Sequence, residues 1–402
     1  MKKTIWLYHH YADPPDGHWT NHFDLFELMV RKGYRVTIFS SSFSHYSRKE
    51  NRLKPNEKFR VQNFNGVRFI FIKTTPYFDN VWRRFINFFV YAVRAYRIGL
   101  GDKEKPDLII GSSPHPFCAF AGYLVSRRKN IPFFFEVHDL WPQFFVELGT
   151  FSERNPIVIG LRWMEQFLFR KAKIILPLWP RMNEYIQQYD IPKEKIVWMP
   201  MALNTDLIRK SEMTQNLKQN TFIVMYRGRF GLTQDMQVVL QAAEIIQNKG
   251  DSNIFFEIAG EGPEREQLIN KTQEIGLTNL QFKDFTPKKE MLEDMRRADV
   301  LLGSLPDLPH FKKYEMISSK LLDYMMVGRP VIFSTNVKNH LVKKSGVGIV
   351  VPPESSLSLA DAIMKIEAMS HKKRLAMGEK GIKYLIENHD VELLANRLDG
   401  LL

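Results

Sequence analysis

A chain of 402 residues with 44% hydrophobic and 25% charged residues has the composition of a globular protein, and it is long enough for two domains of about 200 residues. Its single cysteine, Cys118, excludes an internal disulfide and a zinc site built on several cysteines, and it makes a reducing compartment the default expectation. The net charge of +13 is uneven, because residues 1–200 hold 30 lysines and arginines against 18 aspartates and glutamates, whereas residues 201–402 hold 27 against 26.

The first half alternates apolar, β-branched runs with helical patterns, which predicts a parallel sheet with crossover helices. Lys2 and Lys3 begin the chain like a signal peptide, but the apolar run that follows ends within about five residues, so we interpret it as a first strand. No stretch reaches about 18 uncharged apolar residues, so no transmembrane span is predicted. The predicted strands of this half are residues 4–9, 35–41, 67–73, 107–113, 132–138, 173–179 and 195–200.

The segment "NVWRRFINFFVYAVRAYRIG", residues 80–99, predicts an amphipathic helix between two of these strands. Two interpretations stay open: a helix that lies in a bilayer interface, or a domain helix that packs its apolar face on the sheet. The basic half suits anionic lipid headgroups or nucleic acid. On a helical wheel, one side holds Arg83, Arg84, Asn87, Arg94 and Arg97, and the other holds Val81, Trp82, Phe85, Phe88, Phe89, Ala92, Val93 and Tyr96.

A second series of strands begins after the polar stretch "RKSEMTQNLKQN", which has no clear strand or helix pattern and predicts a linker. We expect an N-terminal domain over residues 1–205, completed by a C-terminal helix over 386–402, a linker over 206–220 and a second domain over 221–385. Both are predicted to be doubly wound α/β domains that face an interdomain cleft, with ligands at the carboxyl ends of the strands. The predicted strands of the second half are residues 222–228, 254–260, 280–285, 299–304, 330–335 and 348–352.

The stretch "YEMISSKLLDYM" places two carboxylates, Glu315 and Asp323, on either side of a predicted helix start. Ser318 or Ser319 is a suitable N-cap, and Gly328 with Pro330 is a suitable end. A loop that enters a helix offers backbone N–H groups and a positive dipole end to a phosphate, and a carboxylate can accept hydrogen bonds from sugar hydroxyls. The alternative is that both acids are solvated surface charges.

Several motifs accompany this stretch in order along the chain. In the second half the motifs are "FIVMYRGRFGLTQD", "FFEIAGEGPEREQL", "LQFKDFTPKKEMLEDMRRADVLL", "EMISSKLLDYMMVGRPVI" and "GVGIVVPPES", and in the first half they are "PPDG", "PDLIIGSSP" and "FFFEVHDLWPQ". Together they resemble the nucleotide-sugar-binding half of retaining GT-B glycosyltransferases of family 4. The resemblance is close over residues 220–370 and weaker in the first half, where the phrases are similar to those of bacterial enzymes that assemble lipid-linked surface polysaccharides, including the N-acetylfucosamine-transferase-like branch.

The resemblance implies roles for both carboxylates and for the helix start. The Glu-x7-Glu pair of this family binds the donor and reads Glu315-x7-Asp323 here, with Glu315 on the donor sugar and Asp323, one methylene shorter, on the ribose hydroxyls. The backbone N–H groups that would face the diphosphate are those of Ser319, Lys320 and Leu321.

Further donor contacts follow from the same resemblance. Arg229 matches the arginine that balances the diphosphate charge as the leaving group departs. The family usually has a lysine five residues later, where this chain has Gln234, and we expect Lys320 to be its substitute. Phe285 and Thr286, in "DFTP", would hold the base.

In the first half, three residues are implied to lie at the acceptor side or near the donor sugar. Gly17 would let the backbone approach the phosphates, and Trp19 makes the acceptor contacts unusual; the alternative for "PPDG" is a simple turn. His138, which ends a buried strand, would lie beside the donor sugar, or it is a histidine of the core with satisfied hydrogen bonds.

The implied activity is the retaining transfer of a hexosyl or N-acetylhexosaminyl group from a nucleotide-diphosphate sugar, with UDP the expected carrier, to a membrane lipid-linked or polysaccharide acceptor. No metal or other cofactor is implied, because an arginine and a helix start can stabilise the departing diphosphate. We expect a cytoplasmic protein peripheral to the inner face of an anionic membrane, with no nucleic-acid partner because no nucleic-acid motif is found. Three alternatives stay open: a nucleotide-sugar epimerase or hydrolase on the same fold, a basic binding protein, and a non-catalytic partner subunit.

Overall fold

A computed structural model gives the structure of residues 3–17, 20–45, 47–78, 81–209, 221–231, 236–250, 253–284, 288–305, 307–338 and 340–402. The chain folds into two units, one of Met1–Asn204 with His389–Leu402 and one of Thr205–Asn388. The prediction of two Rossmann-like α/β units with parallel sheets is confirmed.

The first unit is built on a seven-stranded sheet. Its strands are β1 (Thr4–Tyr8), β2 (Arg35–Ser41), β3 (Phe59–Phe64), β4 (Val67–Ile72), β5 (Leu108–Ser112), β6 (Phe133–Val137) and β7 (Ile174–Pro177). They are hydrogen-bonded in the order β3-β4-β2-β1-β5-β6-β7, and each neighbouring pair is parallel except β3 with β4. Every residue of β1, β5 and β6 is buried, as expected for parallel strands that helices cover on both faces.

Two differences from the predicted strands occur in this sheet. Strand β3 was not predicted because its residues alternate between exposed and half-buried, yet the Asn65–Gly66 pair that follows it, with φ of 50° and 89°, is a strong hairpin signal. The predicted strand 195–200 is wrong. That segment lies along β7, where Val197 N–H and Met199 N–H donate to backbone carbonyls, but it forms one bridge rather than a ladder.

The helices of the first unit start and end where the sequence provides caps. The ring of His115 caps α3 by accepting the N–H of Cys118, and Asn130 ends it in the left-handed conformation. Asn155 caps α5 in the same way by accepting the N–H of Ile157. Before residue 204 the helices are α1 (Asn21–Arg31), α2 (Val81–Gly101), α3 (Pro116–Lys129), α4 (Gln143–Glu147), α5 (Pro156–Lys171) and α6 (Met182–Gln187), with a 3-10 turn at Lys193–Lys195.

The second unit has a six-stranded sheet that is parallel throughout. Its strands are β8 (Phe222–Arg227), β9 (Ile254–Ala259), β10 (Leu280–Lys283), β11 (Val300–Ser304), β12 (Val331–Ser334) and β13 (Gly348–Val351), in the order β10-β9-β8-β11-β12-β13. Its helices are α7 (Asp206–Arg209), α8 (Met236–Asn248), α9 (Arg265–Ile275), α10 (Lys288–Met295), α11 (Pro309–Tyr314), α12 (Ser319–Met326), α13 (Leu341–Ser345), α14 (Ser356–Glu367) and α15 (His371–His389). Helix α7 shows that the start of the predicted linker is helical.

The C-terminal helix, α16 (Val391–Asp399), belongs to the first unit. Asp390 caps it by accepting the N–H groups of Glu392 and Leu393, and Leu394 and Leu398 are buried in the same apolar core as strand β1. The chain therefore returns at its end to the unit in which it began.

Candidate functional site

The loop that carries Glu315 is fixed between two helices of the second unit. Glu315 ends α11 with φ of 55° and ψ of 54°, a left-handed conformation that is uncommon for a residue with a side chain. Ser318 is the N-cap residue of α12, and the helix begins at Ser319, as predicted. Glu315 therefore lies in the loop, and Asp323, which is half-buried, lies one turn inside the helix.

The backbone at the start of α12 differs from the prediction in one respect. The N–H of Leu321 donates to the carbonyl of Ser318 at 3.0 Å, so a diphosphate at this position would have to share or displace that bond. Ser319 is the first residue of the helix, so this loop lies at the positive end of the helix dipole.

Lys320 reaches from α12 to the carboxyl end of strand β8. Its Nζ donates to Tyr226 Oη at 2.8 Å and lies 4.4 Å from the centroid of the Tyr226 ring. A Cβ added to Gly228 would lie 2.5 Å from this Nζ, so the ammonium covers the turn that follows β8. Burial lowers the pKa of Lys320 to about 7, which makes its charge sensitive to a nearby anion.

Tyr324 makes a second connection between α12 and β8, one helical turn after Lys320. Its hydroxyl donates to the carbonyl of Arg227 at 2.9 Å and accepts the N–H of the same residue at 3.0 Å. Because the ring is 1% exposed, both bonds are shielded from water. The helix start is thus held against the end of β8 by two side chains on one helix face.

Two glycine-containing turns pack against each other at this edge of the sheet. The N–H of Gly228 donates to Ala259 O at 3.0 Å, and the N–H of Phe230 donates to Glu261 O at 2.9 Å. A Cβ on Gly260 would lie 1.7 Å from the carbonyl oxygen of Gly228, so only glycine fits there. The motifs "RGRFG" and "AGEG" therefore form one surface.

The two arginines of "RGRFG" differ in their environment. Arg227 is 3% exposed and forms an ion pair with Asp294. Arg229 is exposed, and its carbonyl accepts the hydroxyl of Tyr226 at 2.8 Å. Its guanidinium, rather than that of Arg227, is therefore placed to meet a ligand at the end of β8.

Four of the predicted site residues lie outside the described residues. They are Trp19, Gln234, Phe285 and Thr286. Gly17 is described, and its N–H donates to Pro14 O at 2.9 Å, as in a turn. A Cβ on Gly17 would lie 2.3 Å from the Cβ of Asp13, so the side chain of Asp13 occupies the space beside this glycine.

In the first unit, His138 is part of a buried polar group that we name the histidine cluster: His9, His22, Glu136 and His138. One ligand-type atom from each residue lies within 4.8 Å of the others. His138 Nε2 lies 2.9 Å from Glu136 Oε2, and His22 Nε2 lies 3.0 Å from the same oxygen. All four residues are at most 8% exposed.

The charges in the histidine cluster are set by burial and by neighbouring rings. Burial raises the pKa of the Glu136 carboxyl, but His22 and His138 more than offset this, so its pKa lies well below the ordinary value. Burial, followed by His22 and His138, holds the pKa of His9 well below its ordinary value. We therefore assign Glu136 as ionised and His9 as neutral at pH 7.

The sequence predicts a site role for His138 alone among these four residues. The other three lie at the carboxyl end of β1, in the first turn of α1 and in β6. The signal was "YHHYAD" directly after the first strand together with "EVH" at the end of β6, because carboxyl ends of parallel strands meet at one edge of a sheet. The contribution of His22 could not be predicted, since it depends on how α1 packs.

The faces of α2 also differ from the prediction. Asn87, which the helical wheel places on the side of the arginines, is fully buried and donates to Thr74 Oγ1 at 2.9 Å and to Thr75 O at 2.6 Å. Arg94 is half-buried and donates to Lys73 O at 2.5 Å. These polar side chains turn inward because loop and strand-end carbonyls there accept their hydrogen bonds.

Apolar side chains of α2 face outward instead. Trp82, Ile86 and Phe89 are 62%, 52% and 59% exposed, and their spacing places them on one side of the helix. Helix α5 adds Ile159 and Trp163, which are 57% and 59% exposed. We name these five residues the apolar stripe. The other predicted contacts of α2 are Arg83, which is exposed, and Arg84 and Phe85, which are half-buried.

Within the described residues, no helix is long and apolar enough to cross a membrane.

Two family descriptions match nearly adjacent parts of the chain. Residues 208–384 match the glycosyl transferases group 1, and residues 17–202 match the glycosyl transferase 4-like domain. The alpha-D-kanosaminyltransferase of Streptomyces kanamyceticus is 26% identical over 280 residues, which cover 64% of this chain and 68% of that protein. The putative colanic acid biosynthesis glycosyl transferase WcaI of Escherichia coli (strain K12) is 22% identical over 282 residues, or 64% of this chain and 66% of that protein.

Solved structures of similar fold cover the whole chain. The sucrose-phosphate synthase (tll1590) from Thermosynechococcus elongatus superimposes with a TM-score of 0.75 at 18% identity, over 100% of this chain and 98% of that one. Anabaena Alr3699/HepE in complex with UDP-glucose gives a TM-score of 0.68 at 13% identity, over 100% of this chain and 99% of that one. At these identities the similarity establishes the fold.

Proposed function

The chain carries the two domains of a GT-B glycosyltransferase, and from this premise we propose that it transfers a sugar from a UDP-sugar, with retention at the anomeric carbon, to a lipid-linked or polysaccharide acceptor. The attachment of the α12 start to the end of β8 through Lys320 and Tyr324 is the observation that carries the donor site. UDP as carrier is supported by the UDP and UDP-glucose complexes of the Anabaena protein and by the UDP-2-fluoro glucose complex of an Escherichia coli protein of the same fold.

In this proposal the diphosphate lies at the start of α12. The first amides of the helix and the positive end of its dipole favour an anion there, and the ammonium of Lys320 lies over Gly228 within the same region. The guanidinium of Arg229 adds a second cation from the turn after β8. When the bond between the anomeric carbon and the diphosphate oxygen breaks, negative charge develops on UDP, and these groups stabilise it.

The two carboxylates are proposed to hold the hydroxyl groups of the donor. Glu315 precedes the helix start and binds the donor sugar, while Asp323 lies one turn inside the helix and binds the ribose. The left-handed backbone at Glu315 supports a positioned side chain, because such strain persists where the surrounding structure enforces it. Aspartate has a shorter reach than glutamate, so the nucleotide would bind close to α12.

His138 is proposed to contact the donor sugar, and no metal is proposed to take part in the departure of UDP. The bond of His138 Nε2 to the ionised Glu136 fixes the ring orientation. The transferred group is proposed to be hexosyl or N-acetylhexosaminyl. An acceptor in surface-glycan synthesis is supported by the name of the Escherichia coli relative, which refers to colanic acid biosynthesis.

The apolar stripe supports an acceptor that is anchored in a membrane. Trp82 and Trp163 suit the polar–apolar boundary of a bilayer, and the first half of the chain is basic, so anionic headgroups of the cytoplasmic leaflet would attract it. The protein would then act as a peripheral protein at the inner face of the cell membrane.

Donor binding is tested by titrating the purified protein with UDP, GDP and a panel of their sugars in a calorimeter, followed by product analysis with and without a lipid-linked acceptor. We expect one UDP-sugar to bind and to be consumed only with acceptor. Glu315→Gln should lower turnover by at least tenfold, whereas Glu379→Gln, an exposed change on α15, should leave it unchanged. If no nucleotide or nucleotide sugar binds, the proposal fails, and acceptor-independent release of free or epimerised sugar would indicate a hydrolase or an epimerase instead.

Membrane binding is tested separately by co-sedimentation with vesicles of phosphatidylcholine alone or with added phosphatidylglycerol. The double variant Trp82→Ala/Phe89→Ala should lose most of its binding to the anionic vesicles, while Leu357→Ala, an equally exposed apolar side chain of the second unit, should bind normally. Equal binding of both variants would contradict the role of the apolar stripe without affecting the donor site.

A further inference from the structure

The histidine cluster contains a buried carboxyl group whose bonding partners are histidines alone. Within the described chain, no lysine or arginine bonds to the side chain of Glu136, and its partners are His22 and His138. A carboxylate at a position that is 8% exposed would need a compensating charge. A protonated ring can supply that charge, and so can a metal cation.

The spacing of these atoms fits ligands of one metal ion. Zinc bonds of about 2.0–2.1 Å in a tetrahedron place neighbouring ligand atoms about 3.3 Å apart. The two imidazole nitrogens lie 2.9 and 3.0 Å from Glu136 Oε2, and all four candidate ligand atoms fall within 4.8 Å of one another. On binding an ion, the two short contacts would therefore widen and the longer separations would shorten.

A hydrogen-bonding group that has no partner points to the same conclusion. Nε2 of His9 is buried and has no hydrogen-bond partner in the described structure, and the residue is 1% exposed. Buried ring nitrogens normally find a partner. A metal ion bound to Nε2 of His9 would supply one.

His9 is the weakest of the four candidate ligands. A ligating imidazole is neutral, with its proton on the nitrogen that does not bind the metal. Nδ1 of His9 now accepts the N–H of Tyr11 at 3.2 Å, and it would lose that bond whichever ring nitrogen bound the metal. His22, Glu136 and His138 should therefore contribute most of the affinity, and His9 should complete the set with a smaller contribution.

The chemistry of the ligands selects the class of metal. Imidazole nitrogens favour Zn²⁺ and its transition-metal neighbours, whereas Mg²⁺ and Ca²⁺ prefer sites built from oxygen. Four protein ligands would fill the coordination shell of Zn²⁺, as in structural sites.

We propose that His9, His22, Glu136 and His138 form a structural site for a divalent transition metal, Zn²⁺ in the first instance, that ties the carboxyl ends of β1 and β6 to the first turn of α1. The site shares His138 with the proposed contact to the donor sugar, but its metal ion would take no part in the stabilisation of UDP. Its ligands come from three segments far apart in sequence, so the ion would act as a cross-link within the first unit.

The test uses the full chain prepared without a histidine tag and depleted of metal with a chelator. Zn²⁺ is titrated in a calorimeter, Co²⁺ is titrated while its visible spectrum is recorded, and thermal unfolding is followed with and without Zn²⁺. We expect one equivalent of Zn²⁺ to bind, a tetrahedral Co²⁺ spectrum, and a melting temperature that rises with Zn²⁺ concentration.

Variants distinguish this site from adventitious binding to other histidines. Binding should weaken at least a hundredfold in His22→Ala and in His138→Ala and at least tenfold in Glu136→Gln, which keeps the size of the side chain, while His9→Gln should lose less than these three. Two histidines of the second unit serve as controls: His340, a buried N-cap residue that asparagine can replace, and the exposed His371. The variants His340→Asn and His371→Gln should bind Zn²⁺ as the unchanged protein does. No binding by the wild-type chain, or equal binding by cluster and control variants, would overturn the proposal, and circular dichroism shows whether each variant is folded.

Discussion

Lys320 should make the affinity of this protein for UDP fall as the pH rises above 7. Burial lowers the pKa of its ammonium to about 7 in the protein without donor, so about half of the molecules carry the charge at neutral pH. A diphosphate beside Nζ favours the charged form and raises the pKa in the complex. Binding of UDP then takes up a proton. As the pH rises above the pKa that Lys320 has without UDP, protonation of the lysine takes an increasing part of the binding free energy.

The size of the effect follows from this linkage. Each pH unit between the two pKa values changes the binding free energy by up to about 1.4 kcal/mol, and allowance for half-protonation at pH 7 gives about a 15-fold loss of affinity from pH 7 to 8.5. UDP itself contributes little in this range, because phosphate groups with a second pKa of about 6 are already ionised.

The assay is calorimetric titration of UDP from pH 7 to 9 in buffers of different ionisation enthalpy, which also counts the protons taken up. Lys320→Arg keeps its charge throughout, so its affinity should vary little with pH, and Lys320→Met should bind weakly at every pH. A flat profile for the unchanged protein, or the same slope in Lys320→Arg, would refute the assignment of Lys320 to the diphosphate.

Two further predictions concern packing and buried charge. Gly260→Ala should abolish UDP binding and destabilise the second unit by several kcal/mol, because its Cβ would lie 1.7 Å from Gly228 O. Gly231→Ala is the matched control, because the space around Gly231 is open. Equal melting temperatures of the two variants would contradict the packing of the two turns. Burial raises the pKa of Glu165 to about 8, so the folded state binds more protons than the unfolded state above the ordinary pKa of the residue, and stability should fall as the pH rises to 8. Between pH 6 and 8, Glu165 should account for about 2–3 kcal/mol of the decrease in the free energy of unfolding, and this part should be absent in Glu165→Gln when unfolding is measured in urea titrations. The same pH dependence of the unfolding free energy in both proteins would show that Glu165 does not titrate in this range.

The strands of both sheets were predictable because each buried parallel strand is a continuous apolar run between turn signals. Strand β3 lacks such a run, since one of its faces is exposed, and its prediction required the Asn65–Gly66 turn. The segment 195–200 has the composition of a strand, but its pairing with β7 stops at a single bridge. Composition indicates which residues can enter a sheet, whereas the ladder depends on the neighbouring strand.

The faces of α2 show where a helical wheel is insufficient. The wheel sorts residues by polarity, and it places Asn87 on the side of the arginines and Phe89 on the apolar side. Thr74 and Thr75 supply hydrogen-bond acceptors that make a buried Asn87 favourable, and Phe89 is left outside. Partners from another segment decided the orientation, and the sequence of the helix does not contain them.

Lys320 illustrates how a function can move between elements of one site. The resemblance placed a lysine five residues after Arg229, where this chain has Gln234, and that residue lies outside the described structure. Helix α12 can also supply an ammonium to the turn after β8, because Tyr324 holds α12 against β8 and Lys320 of α12 reaches Gly228. An ammonium supplied in this way is half-buried against the Tyr226 ring, which is why its pKa lies near 7, whereas a lysine on an open loop would stay charged. An affinity for UDP that depends on pH is therefore the expected consequence of supplying this cation from α12. The pH dependence of UDP binding by Lys320→Arg distinguishes this arrangement from one in which Arg229 alone provides the cation.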